Sequence, residues 1–258
     1  TGGTGGSIRI GSGFGKSHTS GSIDISTLNA GASGVSGFLH LSTGKATRGD
    51  SGTFYVKTGD AMDGSAGAIN IAVGEGDSGT GGGIQVSAGD VKEIDDEKAT
   101  GGKIVIASGG SVQTSSGDVS LSTPHAGKEG ISGMISLSTG DTTEGVTGSI
   151  NIVTGASTEG NSGDISVVVG GNKGKVGDGG EVSVTAGATK APGGAGGGII
   201  MRGGTGESTT TKDGGNGGHI SIIGGAAMGG MVTKDIGGKV VLDGGASSTS
   251  TGGNVQIR

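Results

Sequence analysis

Residues 133–163 read GMISLSTGDTTEGVTGSINIVTGASTEGNSG, and their pattern decides the fold class expected of the whole chain. The stretch holds two copies of one unit, G-x-apolar-x-apolar-x-x-G, beginning at Gly133 and Gly148, and Gly163 opens a third. Apolar and polar residues alternate within each copy, which is the period of a strand and not the 3.6-residue period of a helix. In the second copy Ile150, Ile152 and Thr154 share one face, while Ser149, Asn151 and Val153 share the other. Glycine at both ends argues further against helix, where each glycine costs about 1 kcal/mol.

The unit recurs outward from this stretch over the whole chain. It begins at Gly6, Gly21, Gly37, Gly52, Gly67, Gly82, Gly102 and Gly117, then at Gly133, Gly148, Gly163 and Gly180. Gly197, Gly218, Gly238 and Gly253 open the last four, the final one truncated. Most starts lie 15 to 17 residues apart, and the intervals after Gly82, Gly197 and Gly218 are 20 or 21. Leu28 and Pro124 stand where the other complete units close on glycine. Between units run small polar links such as TGKATRGDS, with glycine supplying the positive φ that turns need.

This pattern predicts an all-β chain, a parallel β-solenoid (β-helix) of about sixteen short glycine-rich rungs forming one array over 1–258. Each unit would run out as a strand and return along its thin link. Rungs ~4.8 Å apart would make a rod of roughly 75 Å, or half that if two units share a rung. An antiparallel β-sandwich is the competing arrangement, but the links are long and uniform for hairpin turns. The extended links 90–100, 205–216 and 226–236 read as tolerated surface loops, with an edge contact face as the alternative.

Composition narrows the function. Glycine contributes 67 of 258 residues and proline 2, without a three-residue glycine period, so the chain is not collagen-like. Formal net charge is −6 with one Tyr and three Phe, which argues against a nucleic-acid partner and offers no stacking platform. No apolar run approaches the ~20 residues of a membrane-spanning helix, so membrane insertion is not expected. The absence of cysteine excludes a disulfide framework, and no N-x-[ST] sequon is present. The start at Thr1 predicts a mature product or a piece of a longer chain.

No catalytic, cofactor-binding or metal-binding residue is assigned, no cofactor is expected, and the chain is not read as an enzyme. Gly-Asp and Asp-Gly pairs recur, for instance Gly59-Asp60 and Asp178-Gly179, but the calcium-binding nonapeptide never occurs and turn formation explains them. His18, His40, His125 and His219 fall in unrelated repeats. The run GGAGGG does not lie between a strand and a helix, so it fails as a phosphate loop. An ice-binding surface would need a regular Thr-x-Thr ladder. The column Thr27, Thr43, Thr58, Thr123, Thr139, Thr154 is single and is interrupted by Val73, Ala88, Ser108 and Val169.

Two large aliphatic side chains per unit cannot offset the ordering of fifteen residues when glycine, the most expensive to order, is so frequent. Either the coil is very thin or the aliphatic stripe mates with another array. Beyond Gly163 the outward positions also turn apolar, at Val168, Ile200, Ile223 and Val241, as on strands buried on both faces. The opening TGGTGG and the ending Val255–Arg258 carry no polar cap, which predicts end-to-end polymerisation or excision from a longer array.

The repeats quoted above resemble glycine-rich tandem-repeat β-solenoid proteins of algal cell surfaces, of the stramenopile type. They are similar as well to shaft repeats of bacterial adhesins and viral fibres. The resemblance covers nearly the whole chain, rests on low-complexity repeats and transfers no functional residue. It implies an extracellular or cell-surface fibre whose partner is itself, with other fibre components or glycans as further partners. The expected function is a non-catalytic structural protein forming a rod or filament by rung stacking and by lateral or end-to-end assembly. The alternative is an adhesin or viral-fibre shaft, or another surface-binding module, ice-binding included.

Overall fold

The structure, a computed structural model, describes residues 3–92, 99–174, 176–231, 233–249 and 251–257. Part of the extended link 90–100, and the terminal residues Thr1, Gly2 and Arg258, lie outside them. Among the described residues there is no helix and no β-strand. The expected parallel β-solenoid, or β-helix, is therefore not formed, and neither is the competing sandwich.

The links show the physical reason. A solenoid needs each link to run back beside its strand and deliver the chain one rung higher. Here the two ends of a link meet instead. The Gly102 amide donates to the Gly89 carbonyl at 2.9 Å, and Gly117 donates to Gly109 at 2.9 Å. Further along, Gly197 donates to Gly187 at 2.9 Å and Gly253 to Gly245 at 2.7 Å. At these joints the link is a closed loop, and the next aliphatic stretch begins where the last one ended. Among the described residues the backbone-to-backbone bonds lie at link ends and inside links, not inside the aliphatic stretches. Without a ladder, strand-type alternation in the sequence has nothing to pair with.

Burial agrees with this account. No described residue is buried, and the accessible surface is 26146 Å². A folded single domain of this mass would expose about 10,000 Å², and its fully unfolded chain about 35,000 Å². The value lies nearer the second, so the aliphatic side chains have not collapsed into a core. The very thin coil that composition left open is excluded on the same ground.

Order persists at the level of the joint between one unit and the next. The chain divides into two units, Thr1–Gly133 and Met134–Arg258, and both are built by the same rule. In every unit after the first, the first aliphatic residue is 48 to 62% exposed, from Ile23 to Val255. Ile8, which follows no earlier repeat, is 93% exposed. The partial cover on each first aliphatic therefore comes with the joint that precedes it. Link midpoints bend at 47–49, 62–64 and 77–79. Gly49 and Gly79 have φ of 94° and 74°, and Asp63 reaches 57°, a left-handed value that Asp tolerates better than branched residues.

Candidate functional site

The recurrent site of this molecule is the joint itself. Its two parts are the opening glycine of a unit and the residue six positions past the preceding opening glycine, here called the column residue. A methyl group built on Gly148 would meet Thr139 Cγ2 at 3.4 Å, and one on Gly67 would meet Thr58 Cγ2 at 3.8 Å. On Gly82 it would meet Val73 Cγ1 at 2.7 Å, and on Gly180 it would meet Val169 Cγ1 at 2.6 Å. Real Cβ atoms do not approach that closely, so at these two joints only glycine fits without movement of the valine. The few described residues that are less than exposed include the column residues Thr58, Ala88, Ala186, Gly203 and Gly224.

The column residue sorts the joints into two classes. Where it is Ser12, Ala88, Ser108 or Ala186, the opening glycine donates its amide to the carbonyl of the glycine that follows the column residue. The glycine columns Gly203, Gly224 and Gly244 do the same, with N···O distances of 2.7 or 2.8 Å. Where the column residue is Thr or Val, no such backbone bond closes the joint. The cause is steric. A β-branched side chain puts a methyl group against the opening glycine and holds the backbones apart. A hydrogen, methyl or hydroxymethyl group lets them approach to bonding distance.

Two joints use a third device. Thr27 Oγ1 donates to the Gly37 carbonyl at 3.1 Å, and Thr123 Oγ1 donates to the Gly133 carbonyl at 3.2 Å. These follow the two units that lack a closing glycine, with Leu28 and Pro124 in its place. The same two links contain an inner turn, from Gly34 to Gly31 at 3.1 Å and from Gly130 to Gly127 at 3.2 Å. Thr123→Val keeps the shape of the side chain and removes its only donor. It is expected to lose about 1 kcal/mol of joint closure, read as a faster interconversion of the Gly133 signals by NMR relaxation.

Side chains cap several links. Asn172 Nδ2 donates to the carbonyls of Val176 and Gly177 at 2.8 and 2.9 Å, and its Oδ1 accepts from the Gly174 amide at 2.7 Å. Ser111 Oγ accepts from the Thr114 amide at 3.0 Å, and Thr210 Oγ1 donates to the Asp213 carbonyl at 2.8 Å. Asn172→Ala removes three bonds from one loop. Trypsin cleavage after Lys173 should accelerate by roughly tenfold, since each exposed bond contributes about 0.5–1.5 kcal/mol and the three are not additive. An unchanged cleavage rate would show that the cap does not order the loop.

The threonine column does not form a flat ladder; its members lie against the opening glycines of the following units. No group of three or more His, Cys, Asp or Glu residues is assembled among the described residues. Lys57 and Asp60 make an exposed ion pair at 3.1 Å, of a kind that contributes little to stability. Among the described residues no helix is long and apolar enough to cross a membrane. No protein-family model, curated protein or solved structure matches this chain.

The joints also reveal a longer period that a reading by single units passes over. In chain order the column residues run Thr27, Thr43, Thr58, Val73, Ala88 after Ser12, and Thr123, Thr139, Thr154, Val169, Ala186 after Ser108. The first four of each series are 96 positions apart. Each series has a threonine-hydroxyl joint at its head, a tight valine contact at its fourth joint and a bonded alanine joint at its fifth. The signal was present in the sequence as STLNAGASGVSG at 26–37 and STPHAGKEGISG at 122–133.

Proposed function

We propose that this chain is a non-catalytic structural protein that assembles with copies of itself into a filament at a cell surface or outside the cell. The observation that carries the reading is the exposure of the aliphatic row in every unit, within a chain whose joints are repeated in register. Exposed apolar surface on this scale is a feature of association surfaces. No backbone-to-backbone bond is made within the aliphatic stretches 38–43, 53–58, 68–73, 134–139, 149–154 and 164–169, so they resemble an unpaired edge. Repetition makes the same local contact available more than once along one molecule, which favours extended assemblies over closed pairs.

Light scattering at micromolar concentration tests the reading. The expected result is a mean mass that rises with concentration, together with uniform filaments in electron micrographs. A monodisperse monomer across that range overturns it. A further expectation follows from the apolar character of the contact. Assembly should strengthen with sulfate and weaken in low concentrations of urea, opposite to the response of an ionic contact to salt.

A further inference from the structure

We infer that the chain carries two equivalent docking stations for a second copy, at residues 38–73 and 134–169, and that this bivalency makes growth open-ended. The inference rests on the self-assembly reading and specifies where assembly occurs. Each station lies within one of the two units of the chain and consists of three consecutive aliphatic stretches with the joints between them.

The stations correspond position by position at a spacing of 96 residues. Their inner joints are of the unbonded, β-branched type: Thr43 with Gly52 and Thr58 with Gly67 in the first, Thr139 with Gly148 and Thr154 with Gly163 in the second. Both end on the valine joints, where a Cβ built on the opening glycine would meet the valine Cγ1 at 2.7 Å (Gly82) and 2.6 Å (Gly180). Exposure matches as well. Phe54 and Ile150 are 61 and 55% exposed, Ile69 and Ile165 are 53 and 56%, and Ile71 and Val167 are 77 and 75%. The opening glycines of these joints make no backbone-to-backbone bond, unlike those of the joints with small column residues. Their amides, like the backbones of the aliphatic stretches, are available to an incoming chain.

The available area suits a copy of this chain. A fully exposed aliphatic side chain offers roughly 60–120 Å² of apolar surface. About nine such side chains per station, at the exposures seen, give on the order of 500 Å² of apolar area. Apolar atoms make up a little over half of an interface, so the whole footprint comes to about 900 Å² per partner, against the ~800 Å² of a standard stable complex. Because the two stations are alike, either one on one copy can dock either one on another. A chain with two such stations adds one partner at each, so a row of copies keeps an unused station at both ends and continues to grow.

Lysine substitutions at matched positions test the inference on the full chain. One variant carries Leu39→Lys, Phe54→Lys and Ile69→Lys. The second carries Ile135→Lys, Ile150→Lys and Ile165→Lys, and a third carries all six. A control of equal charge carries Val105→Lys, Val112→Lys and Leu121→Lys, which lie between the stations. By sedimentation velocity the native chain and the control should grow past the dimer, each three-site variant should stop at the dimer, and the six-site variant should stay monomeric. Growth of either three-site variant to the native size, or arrest of the control, would overturn bivalency. Assembly of the six-site variant would place the contact elsewhere while leaving self-assembly intact. A native chain that is monomeric throughout would remove the reading on which the inference rests.

Discussion

Replacing Thr139 by alanine should slow the exchange of the Gly148 amide with solvent by roughly two- to twelvefold, corresponding to a net hydrogen bond of about 0.5–1.5 kcal/mol. In the native chain the Thr139 methyl group stands 3.4 Å from where a Gly148 Cβ would be, and the Gly148 amide makes no backbone bond across the joint. Alanine removes the branch. The joint should then close as it does at Ala88, where Gly102 donates to Gly89 at 2.9 Å, and at Ala186, where Gly197 donates to Gly187 at 2.9 Å. The reverse change, Ala88→Thr, should deprotect Gly102 by a similar factor. Site-resolved exchange followed by NMR reads both amides. Unchanged protection in both variants would mean that side-chain branching is not what separates the two classes of joint.

Gly180→Ala is expected to open its joint, and Val169→Ala to restore it. The added methyl group would come within 2.6 Å of Val169 Cγ1, and a valine side chain is too short and stiff to swing clear. Overpacking of this kind costs about 1–3 kcal/mol, enough to lower the closed population by roughly five- to 150-fold. Among the described residues Val169 is the least exposed large aliphatic, at 41%, so loss of the contact should be visible. The measurement is the nuclear Overhauser effect between residue 180 and the Val169 methyl groups, which should vanish in the single variant. In the double variant the column residue is small, so the residue 180 amide should become protected by the Gly170 carbonyl. Persistence of the methyl contact in Gly180→Ala would refute the steric account.

Much of the joint was legible in the repeat. The opening glycines were marked by position, and the column of Thr, Val, Ala and Ser was visible as a row. Its role was not. Read as the third inward residue of a strand, Thr154 belonged to a core; in the structure it lies against Gly163, the opening glycine of the next unit. The replacements Leu28 and Pro124 looked like lapses in the pattern. They mark the two joints where a threonine hydroxyl takes over closure. Period-two alternation states which residues would share a face if a strand formed, and it contains no information about a partner for that strand.

The sequence alone determined the unit, its boundaries, the alternation within it, the glycines that turn the links and the shortage of apolar volume per unit. Local sterics suffice for all of these, because glycine permits positive φ and branching at Cβ restricts rotamers wherever they occur. Only the tertiary structure decided whether a link returns as a strand or closes as a loop. That choice rests on backbone approach between residues eight to fourteen positions apart, as between Gly117 and Gly109 or Gly218 and Gly204. Loops of that length close at a small entropic cost, whereas a solenoid rung must order every residue before its neighbour rewards it. With two large aliphatic side chains per unit, the closed loop is reached first, and the aliphatic row is left on the surface.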